Sequence, residues 1–211
     1  SLVCPHAAIR PVLLDSAEEA AKPTGFETVP ARGMNGKYTY RIQVSPYDCT
    51  GCGSCVNVCL AKETAIAMRP LESQVKEAEN WTYAVETVAI KQDAVSDKNV
   101  KASQFAKPYF EFSGACAGCG ETPYMKLMTQ LFGERMYIAN ATGCAQAMFL
   151  SVPSIPMVKD SAGHGPALSN SLFENNAEYS LGMCLSVDQQ RNQVKTHAKA
   201  ALDTTSDAAL K

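Results

Sequence analysis

The sequence predicts an α+β protein with a cysteine-rich first part and an α/β second part. Residues 37–44 alternate between apolar and polar side chains, which is the period of a half-buried strand. Four cysteines are crowded between positions 49 and 59, and from residue 111 onward helix-forming and strand-forming segments follow one another. We therefore expect two parts of different character within one chain.

Composition excludes several classes of protein. The chain has 211 residues, of which 46% are hydrophobic and 19% are charged, as in ordinary globular domains. Its 19 Lys and Arg residues nearly balance its 21 Asp and Glu residues, without a block of like charges that would bind a nucleic acid or an anionic membrane. No run of about 18 apolar residues is present, and the first residues lack the pattern of a signal peptide. We expect neither a nucleic-acid partner nor a membrane partner.

The first part contains one predicted helix and one predicted strand. Residues 15–21 favour a short helix, which Pro23 stops. The strand over residues 37–44 ends at Ser45-Pro46, and its alternation puts four apolar side chains on the core face: Tyr38, Tyr40, Ile42 and Val44. Residues 71–110 are polar and predict a helical or loop connection, with Trp81 packed in the core.

The second part begins with a helix and a strand. Thr122 is the expected N-cap, Pro123 the first helical residue and Gly133 the stop. The core face of this helix is predicted to carry Tyr124, Leu127, Met128 and Leu131. A strand over residues 135–140 and a turn at residues 142–144 follow.

A long helix from about Glu174 completes the pattern. Its buried face is predicted to hold Ala177, Leu181, Cys184 and Leu185. Because an α/β unit that stops after a helix lacks one of its layers, we expect the natural polypeptide to continue beyond Lys211.

The first cysteine group indicates an iron–sulfur cluster. Cys49, Cys52, Cys55 and Cys59 have the spacing C-x2-C-x2-C-x3-C, in which three thiolates hold one four-iron, four-sulfur (4Fe–4S) cluster and the fourth serves a second cluster. Zinc is the competing interpretation, although zinc sites usually place a longer gap between pairs of ligands. An odd total of nine cysteines at such intervals indicates metal ligation in a reducing compartment rather than disulfides.

In such modules the fourth cysteine of one motif binds the cluster of the other motif, so this group needs ligands from a second motif. The cluster begun by Cys49, Cys52 and Cys55 needs a fourth ligand, and Cys4, followed by Pro5, has the form of such a residue. Cys59 would belong to a cluster whose other cysteines precede residue 1. The sequence therefore predicts part of a two-cluster, ferredoxin-like module, in which Gly51 and Gly53 suit a tight loop around the sulfurs.

The second cysteine group is less specific by spacing alone. Cys116 and Cys119 form a C-x2-C pair, and Cys144 follows. An iron–sulfur site, a zinc ribbon and a redox dithiol all remain open at this point. A fourth ligand would be Cys184 or a residue beyond Lys211, and Cys184 is better explained as a core residue.

Five stretches of the sequence together resemble the pyruvate:ferredoxin oxidoreductase family, whose members are also called pyruvate synthases. They span residues 3–10, 48–59, 112–124, 138–144 and 170–178, and they cover nearly the whole chain in order. The resemblance implies a ferredoxin-like module over residues 1–70, a connection over 71–110 and the start of a thiamine diphosphate-binding domain over 111–211.

The resemblance also implies three 4Fe–4S clusters and a thiamine site. Cys4, Cys49, Cys52 and Cys55 would hold one cluster, Cys59 would serve a second, and Cys116, Cys119 and Cys144 would hold the third, which lies nearest the thiamine. Glu121 and Cys144 match positions that contact thiamine diphosphate. The Mg²⁺ that accompanies this cofactor would be bound outside the chain, since no Gly-Asp-Gly motif occurs in the sequence.

The activity implied is oxidative decarboxylation of pyruvate to acetyl-CoA and CO2, with electrons passed through the clusters to ferredoxin or flavodoxin. The resemblance further implies coenzyme A as a substrate, a homodimer, and a location in the cytoplasm or in a reducing anaerobic organelle. We do not expect this chain alone to turn over pyruvate.

Two departures and two alternatives accompany this interpretation. Residues 145–150 are larger and more apolar than the family pattern, which could crowd the cofactor pocket, and His164 stands where arginine is usual. A free-standing iron–sulfur electron carrier without substrate chemistry is the first alternative, and a zinc-stabilised interaction protein is the second.

Overall fold

The described residues form helices of very different length and two small β-sheets, so the predicted α+β class is confirmed. The computed structural model describes residues 1–61, 65–149, 155–171 and 176–207. Its residues fall into two units. The first comprises Ser1–Met136 and Ala147–Pro166, and the second comprises Tyr137–Gln146 and Ala167–Lys211. None of the described helices is both long and apolar enough to cross a membrane.

The first unit is built on an antiparallel sheet with the strand order β1-β3-β2. Strand β1 (Ile9–Leu14) pairs with β3 (Thr39–Val44), and the short β2 (Val29–Pro30) lies on the other side of β3. The predicted short helix is present as α1 (Ser16–Ala21). It begins where the Asp15 carboxylate accepts the N–H groups of Ala17 and Glu18 at 3.0 Å, directly after β1, a strand that was not predicted.

Strand β3 differs from its predicted pattern at two positions. Ile42 is 50% exposed, whereas Gln43 is 1% exposed. The cause is helix α3 (Glu77–Thr82), which covers the Gln43 side of the strand and supplies polar partners. The Gln43 side-chain amide donates to Glu77 Oε2 at 3.1 Å, and Arg41 pairs with the same carboxylate at 2.6 Å. A polar side chain is therefore buried here at little cost, since its hydrogen bonds are satisfied.

The other core predictions for this region are largely confirmed. Tyr38 is buried and donates its hydroxyl hydrogen to Asp93 at 2.9 Å. Tyr40 is half-buried against Phe105, with 6.3 Å between ring centroids. Trp81 is half-buried rather than fully buried, and the Arg10 guanidinium lies 5.0 Å from the centre of its ring.

Residues 71–110 are helical and irregular, which agrees with the local structure predicted for them. A 3-10 turn (Leu71–Ser73) precedes α3, a π-helical turn (Tyr83–Thr87) follows it, and α4 (Val100–Ser103) comes last.

Helix α5 (Thr122–Phe132) begins one residue before the predicted start, so that Glu121 and not Thr122 is the N-cap. Its predicted core face is wrong. Tyr124 is 70% exposed and Met128 is 43% exposed, while Leu127 and Leu131 are only half-buried.

The buried face of α5 is polar instead, and it carries Thr122, Lys126 and Thr129. Lys126 and Thr129 hydrogen-bond to residues far away in the sequence, and Thr129 also bonds within the helix. The Thr129 hydroxyl accepts the Tyr109 N–H at 3.2 Å and donates to the Lys126 carbonyl at 2.8 Å. Lys126 Nζ donates to the Ser1 carbonyl oxygen at 2.5 Å. Specific hydrogen bonds therefore outweigh the apolar pattern of this helix.

The second unit contains two parallel strands and a long helix. Strand β4 (Tyr137–Asn140) pairs with β5 (Ala167–Asn170), and the side chains of Asn140 and Asn170 hydrogen-bond at 2.9 Å. Helix α7 (Asn176–Thr204) packs on β4. The predicted strand and long helix are confirmed, although the predicted start near Glu174 lies outside the described residues.

The predicted buried face of α7 is wrong. Cys184, Ala177, Leu181 and Leu185 are all exposed. The half-buried stripe instead runs through Tyr179, Met183 and Val187, at intervals of four residues. A hydrogen bond between the hydroxyls of Tyr179 and Ser169 fixes this orientation of the helix.

Helix α6 (Cys144–Phe149) follows bends at Thr142 and Gly143, where a turn was predicted. Met148 and Phe149 are each 2% exposed, and the Phe149 ring lies 5.2 Å from that of Phe110. The large residues of this divergent stretch thus contribute to the core. Leu150 lies outside the described residues.

Candidate metal centre

The first cysteine loop is anchored at the end of β3. Ser45 donates its N–H to the Ala8 carbonyl at 2.8 Å and its hydroxyl to the Asp48 carboxylate at 2.5 Å. Gly51 and Gly53 have φ angles of 69° and 74°, the left-handed conformation that was expected of them. Gly53 then begins the short helix α2 (Ser54–Asn57).

Two of the four cysteines predicted for one cluster, Cys4 and Cys55, lie close together. Cys4 is buried in a small apolar group with Ala8 and Ile9, and Cys55 packs against this group. The pKa of the Cys55 thiol is raised by burial and, to a lesser extent, by negative charge on Cys4 and Cys49. Thiolates that repel one another in this way are stabilised when they bind a cationic iron centre.

Cys52, the fourth of these residues, is exposed on the same loop. Its Sγ lies 3.4 Å from the Ser54 hydroxyl oxygen. The pKa of Cys52 is lowered by the Ser54 hydroxyl and N–H and by the N–H of Gly118. Backbone and hydroxyl donors of this kind also stabilise the sulfur ligands of metal clusters.

Cys59 lies just after α2. Its side chain is half-buried, and its N–H bonds to the Val56 carbonyl at 3.2 Å. Leu60, which follows it, is 98% exposed. The role of Cys59 in a second cluster remains a prediction.

The second cysteine loop is attached through His6 to the N-terminal segment that carries Cys4. The Phe112 N–H bonds to the His6 carbonyl at 3.0 Å. His6 is 4% exposed, and its Nε2 has no partner among the described residues. Burial lowers the pKa of His6, although a bond to the Ser113 backbone and the Asp48 charge oppose that shift.

Gly118 brings the two loops into contact. A Cβ atom built on Gly118 would lie 3.5 Å from Cys52 Cβ and 3.6 Å from Ser54 Oγ. The same loop is closed by a hydrogen bond from the Cys119 N–H to the Cys116 carbonyl at 3.0 Å. The pair Cys116 and Cys119 is therefore held beside the first cysteine loop.

Cys119 lies at the beginning of α5. Burial opposes its ionisation, but the N–H groups of Thr122 and Glu121 and the Thr122 hydroxyl outweigh burial and lower the pKa of Cys119. The Thr122 hydroxyl is fully buried and makes no hydrogen bond to oxygen or nitrogen in the described part of the chain. It is thus available to a sulfur atom beside the helix N-terminus.

The two residues predicted to contact thiamine diphosphate belong to different units. Glu121 is exposed in the first unit, and its side chain makes no capping hydrogen bond to α5. Cys144 is exposed in the second unit and is the first residue of α6. Both side chains are accessible to a ligand.

Two poorly exposed cations near Cys4 were missed by the sequence analysis. Arg10 pairs with Glu111, and burial lowers its pKa to about 10 against the opposing charges of Asp48 and Cys4. Lys126 is 2% exposed, and burial lowers its pKa to about 8. The Cys4 charge opposes that shift, while Arg10 adds to it. Arg10 belongs to residues 3–10, one of the stretches on which the family resemblance rests. By contrast, nothing in the residue pattern of α5 indicated that Lys126 would be buried.

His164 lies beside two carboxylates. One ligand atom each from Glu134, Asp160 and His164 lies within 4.8 Å of the others. The Asp160 carboxylate, however, already accepts the N–H groups of Ala162 and His164 at 2.9 and 2.8 Å. These bonds explain the arrangement as a local turn.

Three of the relatives found by sequence comparison match along almost the whole chain. A pyruvate-flavodoxin oxidoreductase of Enterobacter agglomerans is 52% identical over 210 residues, covering 100% of this chain and 18% of the relative. A pyruvate-flavodoxin oxidoreductase of Klebsiella pneumoniae is 50% identical over 213 residues, covering 99% of this chain and 18% of the relative. A pyruvate:ferredoxin oxidoreductase of Moorella thermoacetica is 50% identical over 214 residues, covering 100% and 18%.

These relatives are oxidoreductases, and the chain is homologous to one region of them. By sequence it is similar to that region of pyruvate-flavodoxin and pyruvate:ferredoxin oxidoreductases. The chain spans 18% of the length of the relatives described above. No protein-family model matches it.

Proposed function

We propose that this chain is part of an enzyme that oxidatively decarboxylates pyruvate to acetyl-CoA and CO2, and that it carries the released electrons to ferredoxin or flavodoxin. The observation that carries the proposal is the contact of Gly118 with Cys52 and Ser54, which holds two cysteine groups side by side. Electron transfer slows steeply with distance, so a relay needs such neighbouring redox sites. The names of the homologous proteins supply the substrate and the acceptors.

The cysteines are assigned to three 4Fe–4S clusters. Cys4, Cys49, Cys52 and Cys55 hold one, and Cys59 serves a second as part of the ferredoxin-like module over residues 1–70. Cys116, Cys119 and Cys144 hold the third. All nine cysteines of the chain are free thiols, and thiolates are the ligands that such clusters use. When bound, a cluster accepts and releases one electron at a time.

The chain's own groups favour this donor set. The N–H groups of Ser54, Gly118 and Thr122 lie beside sulfur atoms of Cys52 and Cys119. Such donors stabilise the negative charge of sulfur ligands and thereby favour the reduced state.

Residues 111–211 are assigned to the start of a thiamine diphosphate-binding domain. Glu121 and Cys144 contact the cofactor, and the Mg²⁺ ligands come from other residues of the enzyme. When bound, thiamine diphosphate supplies the carbon nucleophile needed to decarboxylate a 2-oxoacid. Coenzyme A accepts the acetyl group, and the complete enzyme is a homodimer in the cytoplasm or a reducing anaerobic organelle.

The test uses the complete enzyme, purified without oxygen, and follows reduction of flavodoxin after addition of pyruvate and coenzyme A. We expect Cys52→Ser to lower the rate at least tenfold, because the relay loses a ligand. Cys184→Ser is the matched control and should keep the wild-type rate, since Cys184 is an exposed cysteine on α7.

Two results would contradict the proposal. Wild-type protein that contains clusters but is not reduced by pyruvate would favour a free-standing electron carrier. A Cys52→Ser variant with full activity would remove this cysteine from the relay.

A further inference from the structure

Lys126 carries a buried positive charge that the protein does not balance. Its side chain is 2% exposed, and within the described part of the chain no carboxylate lies within 4.0 Å of its Nζ. Its hydrogen bond is to a neutral group, the Ser1 carbonyl oxygen, at 2.5 Å. An unpaired buried charge is costly, so a counter-charge is expected nearby.

Other poorly exposed cations of this unit do have carboxylate partners. Arg10 is paired with Glu111. Lys91, whose side chain is 9% exposed, is paired with Asp15 at 2.9 Å and with Glu18 at 2.7 Å. Lys126 is less exposed than either of them and has no such partner in the described part of the chain.

The negatively charged group that interacts electrostatically with Lys126 is the Cys4 thiolate. The Ser1 carbonyl oxygen that accepts from Lys126 also accepts the Cys4 N–H at 3.1 Å, so one peptide oxygen joins the two residues. Negative charge on Cys4 counteracts the fall in the pKa of Lys126 that burial causes. A cluster held by four thiolates is a net anion, and it becomes more negative when it is reduced.

We infer that Lys126 is the internal counter-charge of the cluster held by Cys4, Cys49, Cys52 and Cys55, and that it raises the reduction potential of that cluster. The inference rests on the cluster assignment proposed above. Lys126 acts as a positioning residue for charge, because it bonds to the peptide oxygen that also accepts the Cys4 N–H and does not touch the reacting atoms. Its cation favours the reduced, more negative cluster over the oxidised one.

The test is a redox titration of the complete enzyme followed by electron paramagnetic resonance. Three variants are compared: Lys126→Met, Lys126→Gln and Lys126→Arg. Cys4→Ser is measured beside them, because the signal that it perturbs identifies the cluster in question. We expect the two neutral variants to lower that one midpoint potential by about 60 mV, which corresponds to a tenfold change in the one-electron equilibrium. Lys126→Arg should stay near the wild type.

Lys91→Met is the matched control, because it removes a lysine whose charge is already balanced. It should leave the potential of the Cys4 cluster unchanged. The inference would be overturned if the neutral variants kept the wild-type midpoint potential. It would also be overturned if Lys126→Arg lowered the midpoint potential as much as the neutral variants do. Loss of iron from the neutral variants alone would support it, whereas loss from all three would show a purely space-filling role.

The iron and sulfide content of the wild type separates this inference from the proposed function. If the wild type lacks clusters, the proposed function itself fails. If it holds clusters and the potential does not respond to charge at position 126, only the role of Lys126 is wrong.

Discussion

Gly118 is the residue through which the two cysteine groups meet. Its φ angle is 74°, a conformation that costs other residues about 1 kcal/mol or more. Its N–H helps to stabilise the Cys52 thiolate, and its Cα faces Cys52 and Ser54. A glycine here thus combines backbone freedom with a close approach between loops.

We expect Gly118→Ala to lower the thermal midpoint of the anaerobic protein by a few degrees, since alanine strains this backbone. It should also slow pyruvate-dependent reduction of flavodoxin, because the strained loop shifts against Cys52. Gly120→Ala is the control, since Gly120 has no positive φ and a Cβ there meets no atom within 4 Å. Equal behaviour of the two variants would contradict this account of the contact.

Single residues of the site were predictable only where spacing identifies them. The cysteine intervals specify ligands because cluster geometry requires those intervals. Lys126 was not predictable, because its partner Ser1 is 125 positions away in the sequence. Ser54 and Thr122 were missed for a related reason: a hydroxyl gains its role from the sulfur beside it, and that neighbour is known only after folding.

At the scale of elements, α5 shows hydrogen bonding prevailing over hydrophobic pattern. The helix turns Thr129 inward with no exposed surface, and it leaves Tyr124 70% exposed. The Thr129 hydroxyl is the partner of the Tyr109 N–H at 3.2 Å, which ties the helix to the preceding segment. Unsatisfied groups in such a place are expensive.

We expect Thr129→Val to destabilise the protein by about 1–3 kcal/mol, because the isosteric side chain leaves a buried N–H without a partner. Tyr124→Ser, on the opposite face, should change stability by about 0.5 kcal/mol or less. The check is chemical denaturation of both variants. A larger loss of stability for Tyr124→Ser than for Thr129→Val would contradict this orientation of the helix and support the one that the apolar pattern predicts.

Helix α1 depends on its first turn. Asp15 and Glu18 form a reciprocal capping box, in which the Glu18 carboxylate accepts the Asp15 N–H at 3.0 Å. Asp15→Ala should therefore speed amide hydrogen exchange at Glu18, whereas Asp15→Asn should largely preserve its protection because the amide oxygen still accepts. Identical exchange in the two variants would show that the cap does not hold the helix.

The existence of elements was more predictable than their orientation. Short-range signals such as the Asp15 cap, Pro23 and the residue 37–44 alternation indicated α1 and β3. The inward face of β3, α5 and α7 depends on which neighbour supplies a polar partner, as Glu77 does for Gln43 and Ser169 does for Tyr179. Periodicity contains no information about that neighbour.

At the scale of the whole molecule, the chain matches one region of relatives that are much longer. It covers 18% of the relatives described above. Tyr124 and Leu181 are examples of apolar side chains that are exposed in this chain. The α+β class was predictable from the way residue patterns change along the sequence. The division into two units depends on long-range contacts, which no local pattern reveals.

The central claim is that the cysteines hold iron–sulfur clusters. Its most direct measurement is the content of iron, acid-labile sulfide and zinc in the complete enzyme, purified without oxygen. The account predicts about twelve irons and twelve sulfides per polypeptide, as three four-iron clusters require, and no stoichiometric zinc. Zinc bound to the protein in the absence of sulfide would contradict it.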